Sequence, residues 1–242
     1  MRIAGIIPAR FASTRFPGKP LALIAGKTLI ERVWRQAKKS RKLSEVYIAT
    51  DDSDIQRTAE GFGAEVIMTS KLCRSGTDRL AEAARKAARG AELVINIQGD
   101  EPVISPALID RIAECLQKDP GLPAATAAFP LTDKKAIADP NVVKVVFDLE
   151  HNALYFSRYP VPFPRRPQSP SGYFKHIGIY GYRRGFLLEF AAWKQTPLEK
   201  AEQLEQLRIL EMGGKIRVVI SNKDSFGVDV PADIQKIERL IK

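Results

Sequence analysis

Long apolar runs are missing from this chain. Nothing in its 242 residues approaches the roughly 20 consecutive apolar positions that a membrane-spanning helix needs. The N-terminus runs into a strand-like segment rather than a signal peptide, so a cytosolic protein without membrane attachment is expected. Cysteine is scarce: Cys73 and Cys115 lie far apart, with no CxxC spacing and no histidine partner nearby. That excludes a disulfide framework and a thiolate metal site, and leaves two unpaired thiols. Also absent are an internal repeat, an interdomain linker, a basic tail and a platform of alternating aromatic and basic residues. The net charge of +10 is spread in pairs such as Lys38-Lys39, Arg165-Arg166 and Arg183-Arg184, interleaved with acids. Solvated faces and a general attraction for anionic substrates explain that distribution better than a nucleic-acid partner does.

Both common glycine-rich nucleotide loops are lacking too. No G-x-G-x-x-G follows the first strand, so a dinucleotide site has no support. Gly26, Lys27 and Thr28 imitate the tail of a P-loop, but Leu21 stands where that loop needs its first glycine, and Leu23 and Ile24 add apolar bulk. These residues read as a turn and a helix start, with Thr28 and Glu31 spaced as a capping box.

What is present begins at residues 3–21, IAGIIPARFASTRFPGKPL. Ile3 to Ile7 is short, β-branched and uncharged, as suits a central parallel strand covered on both faces, and Pro8 is expected to end it. Small residues follow (Ala9, Ala12, Ser13, Gly18), with Arg10, Arg15 and Lys19 among them. Close backbone donors, guanidinium forks and one compact ammonium are what a polyphosphate needs. A solvated basic loop is the plainer alternative.

A length of 242 residues and a hydrophobic fraction of 45% allow one large α/β domain or two small ones, with a real core. Strand-like and helical patterns alternate through the first half: strand 3–8, helix 28–39, strand 45–50, helix 53–61, strand 64–68, helix 77–89, strand 92–98, helix 106–118. In the first helix Leu29, Ile30, Val33, Trp34 and Ala37 form one stripe; the last starts with Ser105 as cap and Pro106 at its first position. This alternation predicts a mostly parallel central sheet flanked by helices. After about residue 120 it gives way to a hairpin (142–148 and 153–156), a proline-rich loop over 160–170, and strand 176–182. Two helices between Phe186 and Met212, strand 216–221 and a last helix from about Pro231 follow. One α/β fold with an antiparallel insertion is expected.

Ligands of open α/β sheets bind beyond the carboxyl ends of the strands. That rule gathers the loop after the first strand, the acids after Thr50, and Gln98, Gly99, Asp100 and Glu101. Asp100, at a strand end beside a glycine and facing a cationic loop, suits Mg²⁺ held between protein and phosphate oxygens; a turn or capping aspartate is nearly as good a reading. Asp229 is the candidate second acid, although alone it reads as a helix-start residue. Ser75, Gly76 and Thr77 open a helix whose free N–H groups could meet a nucleobase, while Ser75 and Asp78 also fit a cap.

The stretch IIPARFASTRFPGKPL resembles the N-terminal signature of the 3-deoxy-manno-octulosonate (Kdo) cytidylyltransferases, also called CMP-Kdo synthetases. The resemblance continues through ATDDSD, SGTDRLAE, INIQGDEP, NVVKVVFD, ALYFSR, HIGIYGYR, PLEKAEQLEQLR and FGVDVPAD, in family order along nearly the whole chain. It implies a fold of the nucleotide-diphospho-sugar transferase type and a Mg²⁺-dependent transfer from CTP to Kdo that yields CMP-Kdo and pyrophosphate for lipopolysaccharide assembly. Residues 1–120 would form the nucleotide-binding half, about 140–190 the antiparallel part and homodimer contact, and 191–242 the remainder of the sheet and the sugar site. Asp100 and Asp229 are then the metal ligands, with Lys19 as their catalytic companion. Ala9, Arg10, Arg15, Lys19, Ser75, Gly76 and Gln98 would hold the nucleotide; Gln98, Arg158, His176, Tyr180, Glu205 and Gln206 would hold the sugar. Without the resemblance, His176 reads as a packed strand-end histidine and Glu205-Gln206 as part of a half-exposed helix.

The chain departs from the family pattern at Val230 and Ala232, where Thr and Glu are common, at Asp78, where Glu is common, and at Cys73-Arg74. Two rival functions remain open on sequence: a cytidylyltransferase for another acid sugar (8-amino-Kdo or sialic acid), and a non-catalytic nucleotide or nucleic-acid binder. Asp100, Asp229 and Lys19 together argue against the second, because a simple binder needs no metal pair.

Overall fold

The computed structural model of the protein describes residues 1–12, 15–73, 75–86, 90–166 and 172–241. Its strands are β1 (Ile3–Ala9), β2 (Leu23–Ile24), β3 (Lys27–Thr28), β4 (Glu45–Thr50), β5 (Glu65–Met68), β6 (Leu93–Asn96), β7 (Ala124–Leu131), β8 (Lys144–Phe147), β9 (Ala153–Ser157), β10 (Tyr173–Arg183) and β11 (Ile216–Ile220). Its helices are α1 (Leu29–Ala37), α2 (Ser53–Gly61), α3 (Gly76–Lys86), α4 (Pro106–Lys118), α5 (Lys134–Ala138), α6 (Arg184–Phe190), α7 (Pro197–Glu202), α8 (Gln206–Glu211) and α9 (Asp233–Leu240), with a 3-10 turn at Lys19–Leu21.

The main sheet runs β11-β7-β10-β6-β1-β4-β5, with β8 and β9 branching from β10, and β10 is the one antiparallel member of that path. β1 lies at its centre, parallel to β4 on one side and β6 on the other. Its uncharged sequence follows from that position, since both faces are covered. Ile3 and Ile7 pack into an apolar layer with Leu29, Ile30 and Val33 of α1 and with Leu108 and Ile112 of α4; Ala4 and Ile6 pack into the opposite layer with Leu80 and Ala84 of α3. α1 presents the stripe read from the sequence: Leu29, Ile30, Val33 and Ala37 are fully buried.

Several expectations are corrected. Pro8 does not end β1; it lies within the strand opposite Ala49 of β4. Thr28 accepts a hydrogen bond from the Glu31 N–H, but the Glu31 carboxylate turns to Arg35, so only half of the capping box forms. Ser105 occupies the N-cap position of α4 without a side-chain cap. Residues 184–211 form three helices rather than two, because Gln203 takes a left-handed conformation (φ 53°) that breaks the run between α7 and α8. β7 and α5 were not foreseen. The alanine-rich sequence of β7 reads weakly as a strand, and it is one because it lies between β10 and β11, where only small side chains fit under both helical layers. Residues 160–166 of the proline-rich loop have no regular structure, whereas 167–170 fall outside the described residues, as does the end of the helix foreseen over 77–89.

Buried polar groups organise the junction between the two halves. Lys144, with no exposed surface, donates to the carbonyls of Asp139 (3.0 Å), Val142 (2.6 Å) and Arg158 (2.5 Å). β10 carries a register shift between Ile177 and Tyr180, and Thr126 of β7 sits beneath it, donating to the Ile179 carbonyl (2.8 Å). That irregularity turns the Gly178 carbonyl toward Gln98, whose amide donates to it at 2.9 Å.

Candidate active site

The carboxyl ends of β1 and β6 open onto a cleft of about 450 Å³, within the usual range for a small-molecule site. Ala9, Arg10, Arg15 and Lys19 line one wall, Ser75, Gly76 and Arg79 a second, and Gln98, Gly99, Asp100, Glu205 and Asp229 the rest. Gly99 is required: a Cβ there would sit 2.7 Å from the Pro8 carbonyl oxygen. Only glycine lets the Asp100 turn lie this close to the end of β1.

Lys19 joins the two acids. It follows Gly18, whose left-handed conformation (φ 68°) starts the 3-10 turn. The Lys19 ammonium donates to Asp100 Oδ2 (2.7 Å) and to the Val228 carbonyl (2.8 Å), and lies 3.8 Å from Asp229 Oδ1. Arg15 Nη2 reaches the same Asp229 oxygen at 3.1 Å. Two carboxylates 129 positions apart in sequence (Asp100 and Asp229) thus face one cation, and both remain partly open to solvent, at 32% and 51% exposure.

That arrangement bears on a divalent ion. The ammonium stands where hard oxygen ligands already surround a positive charge. Among the described residues no group of three or more His, Cys, Asp or Glu side chains could enclose a metal. Two carboxylates with room for phosphate oxygens and water fit Mg²⁺, which keeps several waters and is rarely caged by protein alone.

At the opening of α3, Ser75 and Asp78 form a reciprocal cap: the Asp78 N–H donates to Ser75 Oγ (3.2 Å) and the Ser75 N–H to Asp78 Oδ2 (3.3 Å). Aspartate therefore serves the cap here although Glu is common in the family. Thr77 donates its hydroxyl to Glu205, tying this end of α3 to the start of α8. Cys73 lies at the cleft edge with its thiol on Glu82 (3.2 Å), and burial first, then that hydrogen bond, pushes its pKa up to about 11. A thiol held protonated in this way is a poor nucleophile. Cys115 is unpaired as well; Arg74 falls outside the described residues.

The proposed sugar residues form a second group that meets the cleft at Glu205. The His176 and Tyr180 rings lie 5.4 Å apart, and Phe156 packs edge-on against His176. Gln98 and Glu205 line the cleft itself, whereas Arg158, His176, Tyr180 and Gln206 are not part of that lining. Gln206 is buried at the first position of α8 rather than half-exposed, as its helix was expected to be. His176 lies inside β10 rather than at a strand end. The Arg158 guanidinium donates to the carbonyls of Glu202 (2.8 Å), Pro140 (3.0 Å) and Gln203 (3.5 Å), so two of its five N–H groups have no partner among the described residues. The Tyr180 hydroxyl is buried beside Thr126 without a well-formed hydrogen bond.

Burial lowers the His176 pKa to about 3, so the ring is neutral and shares a hydrogen bond with Thr126 at 3.0 Å. The unfolded chain, with an ordinary histidine near 6.5, binds the extra proton between those values. Stability from this residue is therefore full above about pH 6.5 and lost as pH falls, by roughly 1.4 kcal/mol per unit. Urea unfolding of wild type and His176→Gln from pH 7 to pH 4 should show wild type losing its advantage with that slope; parallel curves would exclude a buried neutral imidazole.

Two further polar groups lie in or beside the cleft: Arg79, to which the sequence assigns no role, and Glu101, which it places at the strand end beside Asp100 without one. Arg79 is nearly inaccessible, paired with Asp51 at 3.0 Å and donating to Thr69. Glu101 accepts the Ser225 hydroxyl at 2.5 Å; burial pushes it up to about 7 against that hydrogen bond, with Asp100 adding to the rise. Both lay within quoted motifs, but their partners are revealed only by the fold.

A strand-end cleft with cations on one side and paired carboxylates on the other has the make of a nucleotidyltransferase site, and residues 4–216 match the cytidylyltransferase family. The chain is 48% identical over 241 residues to the 3-deoxy-manno-octulosonate cytidylyltransferase of Solibacter usitatus, covering 100% of this chain and 95% of the relative. It is 49% identical over 252 residues to that of Geobacter sulfurreducens, with both chains covered completely (100%). A solved CMP:2-keto-3-deoxy-manno-octonic acid synthetase in complex with CTP superimposes with a TM-score of 0.95 at 40% identity, covering 100% of this chain and 98% of the other. This chain belongs to the 3-deoxy-manno-octulosonate cytidylyltransferase family.

Proposed function

We propose that the chain transfers the cytidylyl group of CTP to 3-deoxy-manno-octulosonate, giving CMP-Kdo and pyrophosphate for lipopolysaccharide assembly, with Mg²⁺ held by Asp100 and Asp229. The observation that carries this reading is the convergence of both carboxylates on Lys19 in a cleft walled by Arg10 and Arg15, in a chain whose full-length relatives bear that name. Bound Mg²⁺ would offset charge on the phosphate oxygens.

The protein's own groups do the rest by placement. Arg15 and Arg10 present guanidinium donors to the β- and γ-phosphates, and Lys19 lies where charge develops at the α-phosphate. The free N–H groups at Ser75 and Gly76 and the backbone at Ala9 and Arg10 meet the base; Gln98, fixed on the Gly178 carbonyl, lies between nucleotide and sugar. The Kdo 2-hydroxyl attacks the α-phosphorus in line, a phosphorus–oxygen bond forms, and the bond to the leaving pyrophosphate breaks. No protein nucleophile is required.

Kdo enters on the side of Glu205, toward His176, Tyr180, Gln206 and the two remaining N–H groups of Arg158. A homodimer through the 140–190 region belongs to the same proposal: among the described residues β9 pairs only with β8, and Leu149, Leu154, Tyr159 and Phe163 are exposed around that edge. We place the reaction in the cytoplasm, where its nucleotide substrate is made; among the described residues no helix is long and apolar enough to cross a membrane.

Pyrophosphate release tests the substrates directly. CTP with Kdo should exceed UTP with Kdo, and CTP with sialic acid, by about 100-fold or more in kcat/KM, the size expected when a site's hydrogen-bonding groups are left unpaired by the wrong ligand. Comparable rates with sialic acid would move the assignment to another acid sugar.

A further inference from the structure

Asp229 lies on a stretch that no ladder supports. Residues 221–232, between β11 and α9, contain neither strand nor helix, yet one of the two carboxylates facing Lys19 projects from it. Its position must come from individual tethers.

On the C-terminal side the Asp229 and Val230 N–H groups donate to Asp233 Oδ2 (3.0 and 3.1 Å) at the start of α9; the tethers on the N-terminal side land in one place. Ser225 donates its hydroxyl to Glu101 (2.5 Å), the Val228 N–H donates to the Asp100 carbonyl (2.9 Å), and Lys19 reaches the Val228 carbonyl (2.8 Å). Lys175 of β10 holds Asp224 Oδ1 (2.9 Å) and the Ser225 carbonyl (2.8 Å). Val228 is fully buried and plugs the loop into the core. Two contacts thus tie the loop to the turn that carries Asp100, and Glu101 makes the only side-chain one of them among the described residues.

We propose that Glu101 is a positioning residue: by holding Ser225 it sets the separation of Asp229 from Asp100. This rests on the reading of those two aspartates as a functional pair. The geometry explains why an acceptor is needed and a charge is not. The Ser225 hydroxyl donates, so any side chain of the same length with an oxygen at its end preserves the tether, and a truncated one does not. Ser225 lies four residues before Asp229, a span of at most about 14 Å of chain. Once it is released, the Val228 N–H is the remaining direct contact between the two segments, with Lys19 bridging them through Asp100 Oδ2 and the Val228 carbonyl.

The test compares Glu101→Ala, Ser225→Ala and Glu101→Gln in the full chain. Hydrogen exchange at the Val228 amide, read without substrate or metal, should be about tenfold faster in both alanine variants and close to wild type in Glu101→Gln. Pyrophosphate release should show kcat reduced about tenfold or more in the alanine variants, with the KM for Kdo little changed, and restored by Gln. Unchanged exchange in both alanine variants, or a Gln variant as impaired as Ala, overturns the tether. Faster exchange with undiminished kcat upholds the tether and instead overturns the pairing of Asp100 with Asp229.

Discussion

Replacing Asp100 with Asn should reduce pyrophosphate release by about 1000-fold or more, roughly 4 kcal/mol of lost transition-state stabilisation, with the melting temperature nearly unchanged. Asn keeps the shape of the side chain and loses its charge. The two functions of this position separate cleanly: the backbone carbonyl holds Val228 and is untouched by the substitution, whereas the carboxylate is partly exposed and serves Lys19. With Asp100 neutral, Lys19 keeps the Val228 carbonyl and, among the described residues, a single carboxylate, that of Asp229 3.8 Å away, and a divalent ion loses one of the two acids proposed to hold it. Pyrophosphate release and a thermal melt on the same preparation decide the matter. Turnover near wild type in a folded variant would remove Asp100 from the chemistry, and with it the whole acidic-pair reading.

The largest effect on stability is expected far from the phosphate end. Lys144→Met should destabilise the protein by about 3–5 kcal/mol, roughly a 10 °C drop in melting temperature for a chain of this size. Methionine approximates the volume of the stem, so little cavity forms. What is lost is the ammonium that satisfies three carbonyls at a fully buried position. Desolvation lowers the Lys144 pKa, with Asp139 opposing the shift, and the hydrogen bonds keep the charge tolerable there. Each orphaned carbonyl costs about 1–3 kcal/mol when water cannot replace the donor. Arg158 depends on the same corner, since its carbonyl accepts from Lys144 while its guanidinium holds the α7–α8 turn that leads to Glu205. Denaturant unfolding measures the loss; a change below 1 kcal/mol would mean that water reaches those carbonyls.

Much of the first half was legible. β1, α1, β4 and α2 lie where periodicity and β-branching placed them, to within a residue or two, because each buries a face that its own side chains define. The Ser75–Asp78 cap was legible as well, being a contact between neighbours. The second half resisted. β7 has an alanine-rich sequence with no strand signature of its own, and α7 and α8 are divided by one left-handed residue, Gln203, that no composition rule marks.

Chain order and residue type alone determined the alternating α/β architecture and the cationic loop after the first strand. These are local properties, set by hydrophobic period and by which side chains exist. Tertiary structure alone decided that Asp100 and Asp229 face the same ammonium, that Glu101 holds Ser225, and that Lys144 serves carbonyls instead of solvent. Such pairings join segments up to 210 positions apart (Lys19 to Asp229). They exist because the strands lie side by side in an order different from their order in the chain, so a carboxylate's nearest charge is set by sheet topology rather than by its sequence neighbours.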